Sequence, residues 1–185
     1  MTTNNVNVIA NLALIGMRGT GKTAVGQSLA ARLHGTFFDL DLLVSQAAGM
    51  TIAEIFGSEG EAGFRRRESE ALRSMLGAAV PRLPAIYSLG GGAVIDASNR
   101  QAIREAATVV WLTAPVSVLE QRVARDEESK HNRPSLLTGG GTSEMAQVMQ
   151  ARESIYRDAC DFAVDTAALD VEAVAARIIQ RVANT

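Results

Sequence analysis

An eight-residue run near the start of the chain, Gly16-Met17-Arg18-Gly19-Thr20-Gly21-Lys22-Thr23, spells G-x-x-x-x-G-K-T. It constrains the fold more than any other feature because its flanks agree with its letters. Leu12-Ala13-Leu14-Ile15 precedes it as an apolar run suited to a buried strand, and Val25, Leu29 and Leu33 follow on one helical face. Glycines let the backbone curl so that several N–H groups converge on one anion. The N-terminus of the following helix adds partial positive charge. In that setting Lys22 reaches the β- and γ-phosphates of a nucleotide and the Thr23 hydroxyl can ligate Mg²⁺. A plain glycine-rich turn would account for the glycines, but not for Lys-Thr at the mouth of a helix.

The rest of the chain repeats the strand–helix alternation. Ala85-Ile86-Tyr87-Ser88-Leu89 reads as a buried strand ending in Gly90-Gly91-Gly92. Val109-Val110-Trp111-Leu112 and Phe162-Ala163-Val164 read as two more. Val116, Leu119 and Val123 form one helical stripe, and Val171, Val174 and Ile178 another. Asp96 suits a helix N-cap and Pro115 a first helical turn. Strands alternating with helices predict a mostly parallel sheet covered on both faces. No internal repeat or linker divides the chain, so one domain over residues 1–185 is expected. Only the stretch from about Glu127 to Thr142 resists assignment. It carries His131-Asn132-Arg133-Pro134 and then Gly139-Gly140-Gly141, and beside a phosphate-binding loop it reads as a mobile lid.

Bulk properties exclude several classes. A net charge of −2, from 18 basic and 20 acidic residues, offers no electrostatic case for nucleic acid. Cys160 is the one cysteine, so no internal disulfide forms and a reducing cytosol is expected. Met1 to Asn7 lacks the layout of a signal peptide, and no apolar run approaches the roughly 20 residues of a membrane span. A soluble cytosolic protein, without membrane or nucleic-acid partners, is expected.

Four further groups of residues carry chemistry. Phe38-Asp39-Leu40-Asp41 falls about one helix after the phosphate loop, at the carboxyl end of a second strand, where parallel sheets bind ligands. If the strand persists, Asp39 and Asp41 point the same way: one suits Mg²⁺ through water, the other a substrate hydroxyl. The bland alternative is an Asp-rich strand end that caps the next helix. Arg65-Arg66-Arg67 lies on a helix whose successive side chains splay about 100° apart, so the three share no face. Surface ion pairs, Glu61 with Arg65 and Arg66 with Glu70, are the ordinary reading there. Arg152 falls between Met149 and Tyr156 on an inward helix side, where an arginine needs a partner, either a protein carboxylate or a substrate's. The Gly90-Gly91-Gly92 turn is either loose or lets backbone approach a ligand closely. Arg133 in the lid is either a loop charge or a cation for the transferring phosphoryl group.

Taken in order, G-M-R-G-T-G-K-T, F-D-L-D, G-M-T-I-A-E-I-F with G-E-A-G-F-R-R-R-E, S-L-G-G-G-A, R-P, R-E-S-I-Y-R and V-D-T make the chain resemble the shikimate kinase family over nearly its whole length. The resemblance implies a three-layer α/β/α P-loop kinase of the nucleoside-monophosphate-kinase-like fold, with a central five-stranded parallel sheet in order 2-3-1-4-5 and a mobile lid. It implies ATP-dependent phosphorylation of the 3-hydroxyl of shikimate, toward chorismate and the aromatic amino acids, with ATP and shikimate as partners and Mg²⁺ as cofactor. Carried over by position, Thr23 and Asp39 are the metal side. Gly19, Thr20, Gly21, Lys22, Thr23, Ala24 and Arg133 are the ATP side. Asp41, Arg65, Gly91 and Arg152 are the shikimate side, and Lys22, Asp41 and Arg133 are the catalytic set. A monomer is expected.

Three positions depart from the family's pattern. Ala167-Ala168-Leu169 follows V-D-T where a basic residue is frequent near the adenine, Ser135 follows Arg133-Pro134, and Arg18 stands inside the phosphate loop. Two rival readings remain. A gluconate kinase would share the P-loop but need different anchors for its polyol acid. A kinase-like sensor would be fused to a DNA-binding domain or lack catalytic residues; the position of the P-loop at Gly16 argues against a preceding helix-turn-helix.

Overall fold

The computed structural model of the chain describes residues 11–78, 83–125 and 143–184. The expected lid and Arg133 lie outside the described residues. Five strands form one parallel sheet: β1 (Leu12–Ile15), β2 (Thr36–Asp39), β3 (Ala85–Ser88), β4 (Thr108–Thr113) and β5 (Phe162–Asp165), in the order β2-β3-β1-β4-β5. The order is the one the resemblance implies, and the strand bounds differ from the sequence reading by one residue or so. β1 lies at the centre, with Ala13 opposite Tyr87 of β3 and Val109 of β4. All four of its residues are fully buried, which is why it reads as an unbroken apolar run instead of an alternating one.

Period-two geometry divides the core in two. Leu12 and Leu14 face one side, where Val25 and Leu29 of α1 (Lys22–Leu33) meet Val174 and Ile178 of α7 (Val171–Ala183). Ala13 and Ile15 face the other, with α2 (Leu40–Ala48), α3 (Ile52–Gly77), α4 (Ala97–Ala106), α5 (Val116–Arg125) and α6 (Glu144–Ala159). The expected stripe on α1 is buried at Val25 and Leu29, and cutting back a side chain such as Leu29 would cost about 2–5 kcal/mol. Asp96 caps α4 as expected, accepting from the amides of Ser98 and Asn99. Pro115 stands just before α5, where its carbonyl takes the first helical bond, from Leu119. Among the described residues no single helix is long and apolar enough to cross a membrane.

Two local features differ from the sequence reading, and both shape the site. β2 stops at Asp39 and α2 starts at Leu40, so Asp39 and Asp41 do not point the same way along a strand. Asp39 is the N-cap of α2, and its Oδ1 accepts from the amides of Asp41 and Leu42. A carboxylate at that position satisfies helix amides better than another strand pairing would. α3 is bent at Gly60, whose φ of 68° and ψ of −174° belong to a region open in practice only to glycine. Arg66 and Arg67 reach back across the bend to Glu59, where helical spacing predicts Glu70 for Arg66.

Candidate active site

β1 delivers the chain into the phosphate loop, and α1 opens at Gly21, an N-cap residue with no side chain to close the helix. The first-turn amides therefore remain available to an anion. Lys22 folds back over the loop, its Nζ donating to the carbonyls of Gly16 at 2.9 Å and Met17 at 3.0 Å. Thr20 braces the same turn through a 2.8 Å bond from its hydroxyl to the Met17 carbonyl. Thr23 Oγ1 donates to Asp39 Oδ2 at 3.0 Å, so the two residues read as a metal pair are in contact. Asp39 Oδ1 caps α2, which is the bland alternative, and Oδ2 is turned to Thr23, which leaves the metal reading open to it. Two hard oxygen donors suit Mg²⁺, which takes few protein ligands and keeps water and phosphate around it. Among the described residues no cluster of three or more His, Cys, Asp or Glu side chains offers a metal cage.

Asp41, Arg65, Gly91 and Arg152, drawn from α2, α3, the glycine turn and α6, line one cavity of about 430 Å³ that also touches Met17 and Arg18 of the phosphate loop. Phe56 and Phe64 give it an apolar wall, stacked with ring centroids 4.6 Å apart on either side of the Gly60 bend. The glycine turn is tight, not loose. A Cβ at Gly90 would stand 2.8 Å from Glu68 Oε1 and 2.9 Å from Asp41 Oδ1, and one at Gly92 would collide with the Arg65 guanidinium. Backbone thus passes where side chains of both signs converge.

Glu68 is the central residue that the sequence reading missed. It is 1% exposed, and its Oε2 accepts from Arg65 Nη1 at 2.7 Å. Its Oε1 has no hydrogen-bond partner among the described residues. Burial pushes its carboxyl above the ordinary 4.5, Arg65 opposes that, and Asp41 adds to it. Glu61 pairs with the same arginine from the rim at 3.3 Å, as expected. The signal for Glu68 was its i, i+3 spacing from Arg65, one turn along the same helix face. Tyr156, also missed, stands one turn after Arg152, and both donate to the Gly91 carbonyl, Arg152 at 3.3 Å. Arg152 is therefore partnered, though by a backbone carbonyl and not by the carboxylate that its helix position led us to expect.

Asp41, Arg65, Gly91 and Arg152 thus share a cavity with Met17 and Arg18 of the phosphate loop, while Thr23 bonds Asp39 outside its lining. Known proteins resemble the chain in sequence and in fold. A family model described as shikimate kinase matches residues 18–183. Shikimate kinase of Geobacter sulfurreducens is 44% identical over 168 residues, covering 91% of this chain and 88% of its own. That of Bordetella pertussis is 41% identical over 158 residues, covering 85% and 71%. The solved shikimate kinase from Acinetobacter baumannii, in complex with shikimate, superposes with a TM-score of 0.85 at 32% identity, covering 95% of this chain and 94% of its own. With the phosphate loop, the 2-3-1-4-5 sheet and an arginine-flanked cavity beside the loop, the chain belongs to the shikimate kinase family.

Proposed function

We propose that the chain transfers the γ-phosphoryl group of ATP to the 3-hydroxyl of shikimate, giving shikimate 3-phosphate and ADP. The observation that carries this reading is the meeting of Asp41, Arg65 and Arg152 in one cavity that abuts the phosphate loop. Shikimate is a small polyol with one carboxylate. Two guanidiniums suit the carboxylate through charge-assisted hydrogen bonds, and an aspartate suits the hydroxyls.

In the reaction the 3-hydroxyl oxygen bonds to the γ-phosphorus as the bond to the β–γ bridging oxygen breaks, and the hydroxyl proton is released. Asp41 orients the attacking hydroxyl. A loose transition state needs little base assistance, so positioning is its larger contribution. Lys22 exchanges its loop carbonyls for the phosphates and spreads their charge. Thr23 and Asp39 would hold Mg²⁺, which when bound neutralises charge on the phosphate oxygens. Arg133 is assigned to the phosphoryl group from the lid, and Gly19 to Ala24 to the phosphates. We assign the whole chain to one kinase domain acting as a cytosolic monomer.

ADP release tests the reading against its rivals. Turnover with shikimate, and only background with gluconate, supports it. Turnover with gluconate and none with shikimate would replace it by the sugar-acid reading. Binding of shikimate without ADP release under any condition would make the chain a sensor.

A further inference from the structure

Tyr156 is wholly buried in α6, four residues beyond Arg152. Its hydroxyl donates to the Gly91 carbonyl and lies 3.6 Å from Met17 Sδ. Arg152 Nη1 donates to that same carbonyl at 3.3 Å. One backbone oxygen in the glycine turn thus takes two donors from a single helix face. Behind Tyr156, Trp111 stacks at 5.7 Å between centroids and holds the ring in place. On its other side Gly91 packs on the phosphate loop: a Cβ there would lie 3.4 Å from the Gly16 carbonyl, which itself accepts from Lys22 Nζ.

The two donors are unequal. A guanidinium bonds a carboxylate far more strongly than a neutral carbonyl, and Arg152 holds Gly91 through one long bond from Nη1, so a substrate carboxylate competes with Gly91 for Arg152. The Gly91 carbonyl is partly buried, so water makes good a lost donor there only in part. The phenol stays behind, because it is uncharged, wholly buried and stacked on Trp111; burial pushes its pKa up further, with Arg152 opposing. We propose that Tyr156 is a positioning residue that retains the Gly91 carbonyl when Arg152 is recruited by the substrate carboxylate, keeping the glycine turn seated on the phosphate loop. This rests on the reading of Arg152 as a carboxylate anchor.

The test is a double-mutant cycle in shikimate affinity, read from Trp111 fluorescence and from KM. Tyr156→Phe keeps the ring and the stack but removes the donor. Shikimate affinity should fall by about 3- to 12-fold, with KM for ATP unchanged. In an Arg152→Ala background, where substrate moves no guanidinium, Tyr156→Phe should change shikimate affinity less than twofold. An equal loss in both backgrounds, or none in the wild-type background, overturns the proposal. If Arg152→Ala alone leaves shikimate affinity intact, the anchor reading fails and the proposal falls with it, an outcome distinct from either of those. A crystal structure of the wild-type complex gives a readout that needs no variant. The Tyr156 hydroxyl should remain on the Gly91 carbonyl with Arg152 turned away; Arg152 still bonded there overturns the proposal.

Discussion

The Thr23 hydroxyl donates to Asp39 Oδ2 at 3.0 Å, while the other oxygen of that carboxylate closes the first turn of α2. One side chain therefore belongs both to a helix cap and to the candidate metal side. The two functions separate by substitution. Asp39→Ala should cost about 0.5–2 kcal/mol of stability, because the cap is lost. Asp39→Asn should restore that stability, since asparagine caps as well as aspartate. Both should weaken the dependence of turnover on Mg²⁺ by about 10- to 100-fold. Thermal unfolding and a Mg²⁺ titration of initial rates check the pair. An Asn variant with wild-type Mg²⁺ dependence would reduce Asp39 to a cap.

Lys22→Ala should lower kcat by about 10²-fold or more, since Lys22 is the cation that the loop motif guarantees at the phosphates. Its bonds to the Gly16 and Met17 carbonyls are partly exposed, so water replaces them. The loss in stability should stay near about 1 kcal/mol, a shift of a few degrees in Tm. Steady-state kinetics with calorimetry checks both halves. Near wild-type turnover in a folded variant would remove the kinase reading altogether.

The arginine pair makes a prediction about binding alone. If Arg65 and Arg152 hold the shikimate carboxylate, each contributes roughly 1.5–3 kcal/mol. Arg152→Ala should then weaken shikimate binding by about 10- to 150-fold and leave ATP binding unchanged. Arg65→Ala strips Glu68 of its partner, so it should be measured with Glu68→Gln, which removes the buried charge as well. A shikimate analogue bearing a neutral amide should bind poorly to the wild type and lose little more on either substitution. Tight binding of the amide would make both arginines structural.

Glu68 links the site to pH. Its folded-state pKa is raised by burial against the pull of Arg65, so the folded protein holds this proton more tightly than the unfolded chain does. The stability it contributes is complete below the ordinary value of 4.5 and is lost as pH rises through the raised value. Glu68→Gln mimics the protonated form. The variant should match the wild type in stability below about pH 4 and become the more stable of the two as pH rises. Denaturant unfolding at several pH values decides it. A stability difference that does not change with pH would mean that Arg65 offsets the burial.

Much of the site was legible because its parts are local. The phosphate loop with its flanking strand and helix is a contiguous pattern, and one strand–helix–strand repeat brings Asp39 and Asp41 to the same end of the sheet; the pairing of Asp39 with Thr23 was implied by the family resemblance. Arg152 could be recognised as inward and in need of a partner from its helix face alone. The end of β2 was not legible, because Phe38-Asp39-Leu40-Asp41 satisfies a strand and a capped helix start equally well until the cap forms. The bend at Gly60 was also missed, since an isolated glycine in a helical pattern gives no sign of its φ.

What the sequence alone determined was the set of short-range constraints: which runs bury on two faces, which turn carries phosphate chemistry, and which charges need partners. The tertiary structure alone decided who those partners are. Glu68 reaches Arg65 within one helix, yet its proximity to Asp41 and Gly90 arises only because α3 bends and packs against the glycine turn. Tyr156 meets Gly91 and Met17 only because α6 packs beside β4 and brings it to the turns that follow β1 and β3. Such contacts depend on three-dimensional packing among segments tens of residues apart. Burial then sets their strength, since a carboxylate or carbonyl removed from water must be satisfied by whatever the fold brings to it.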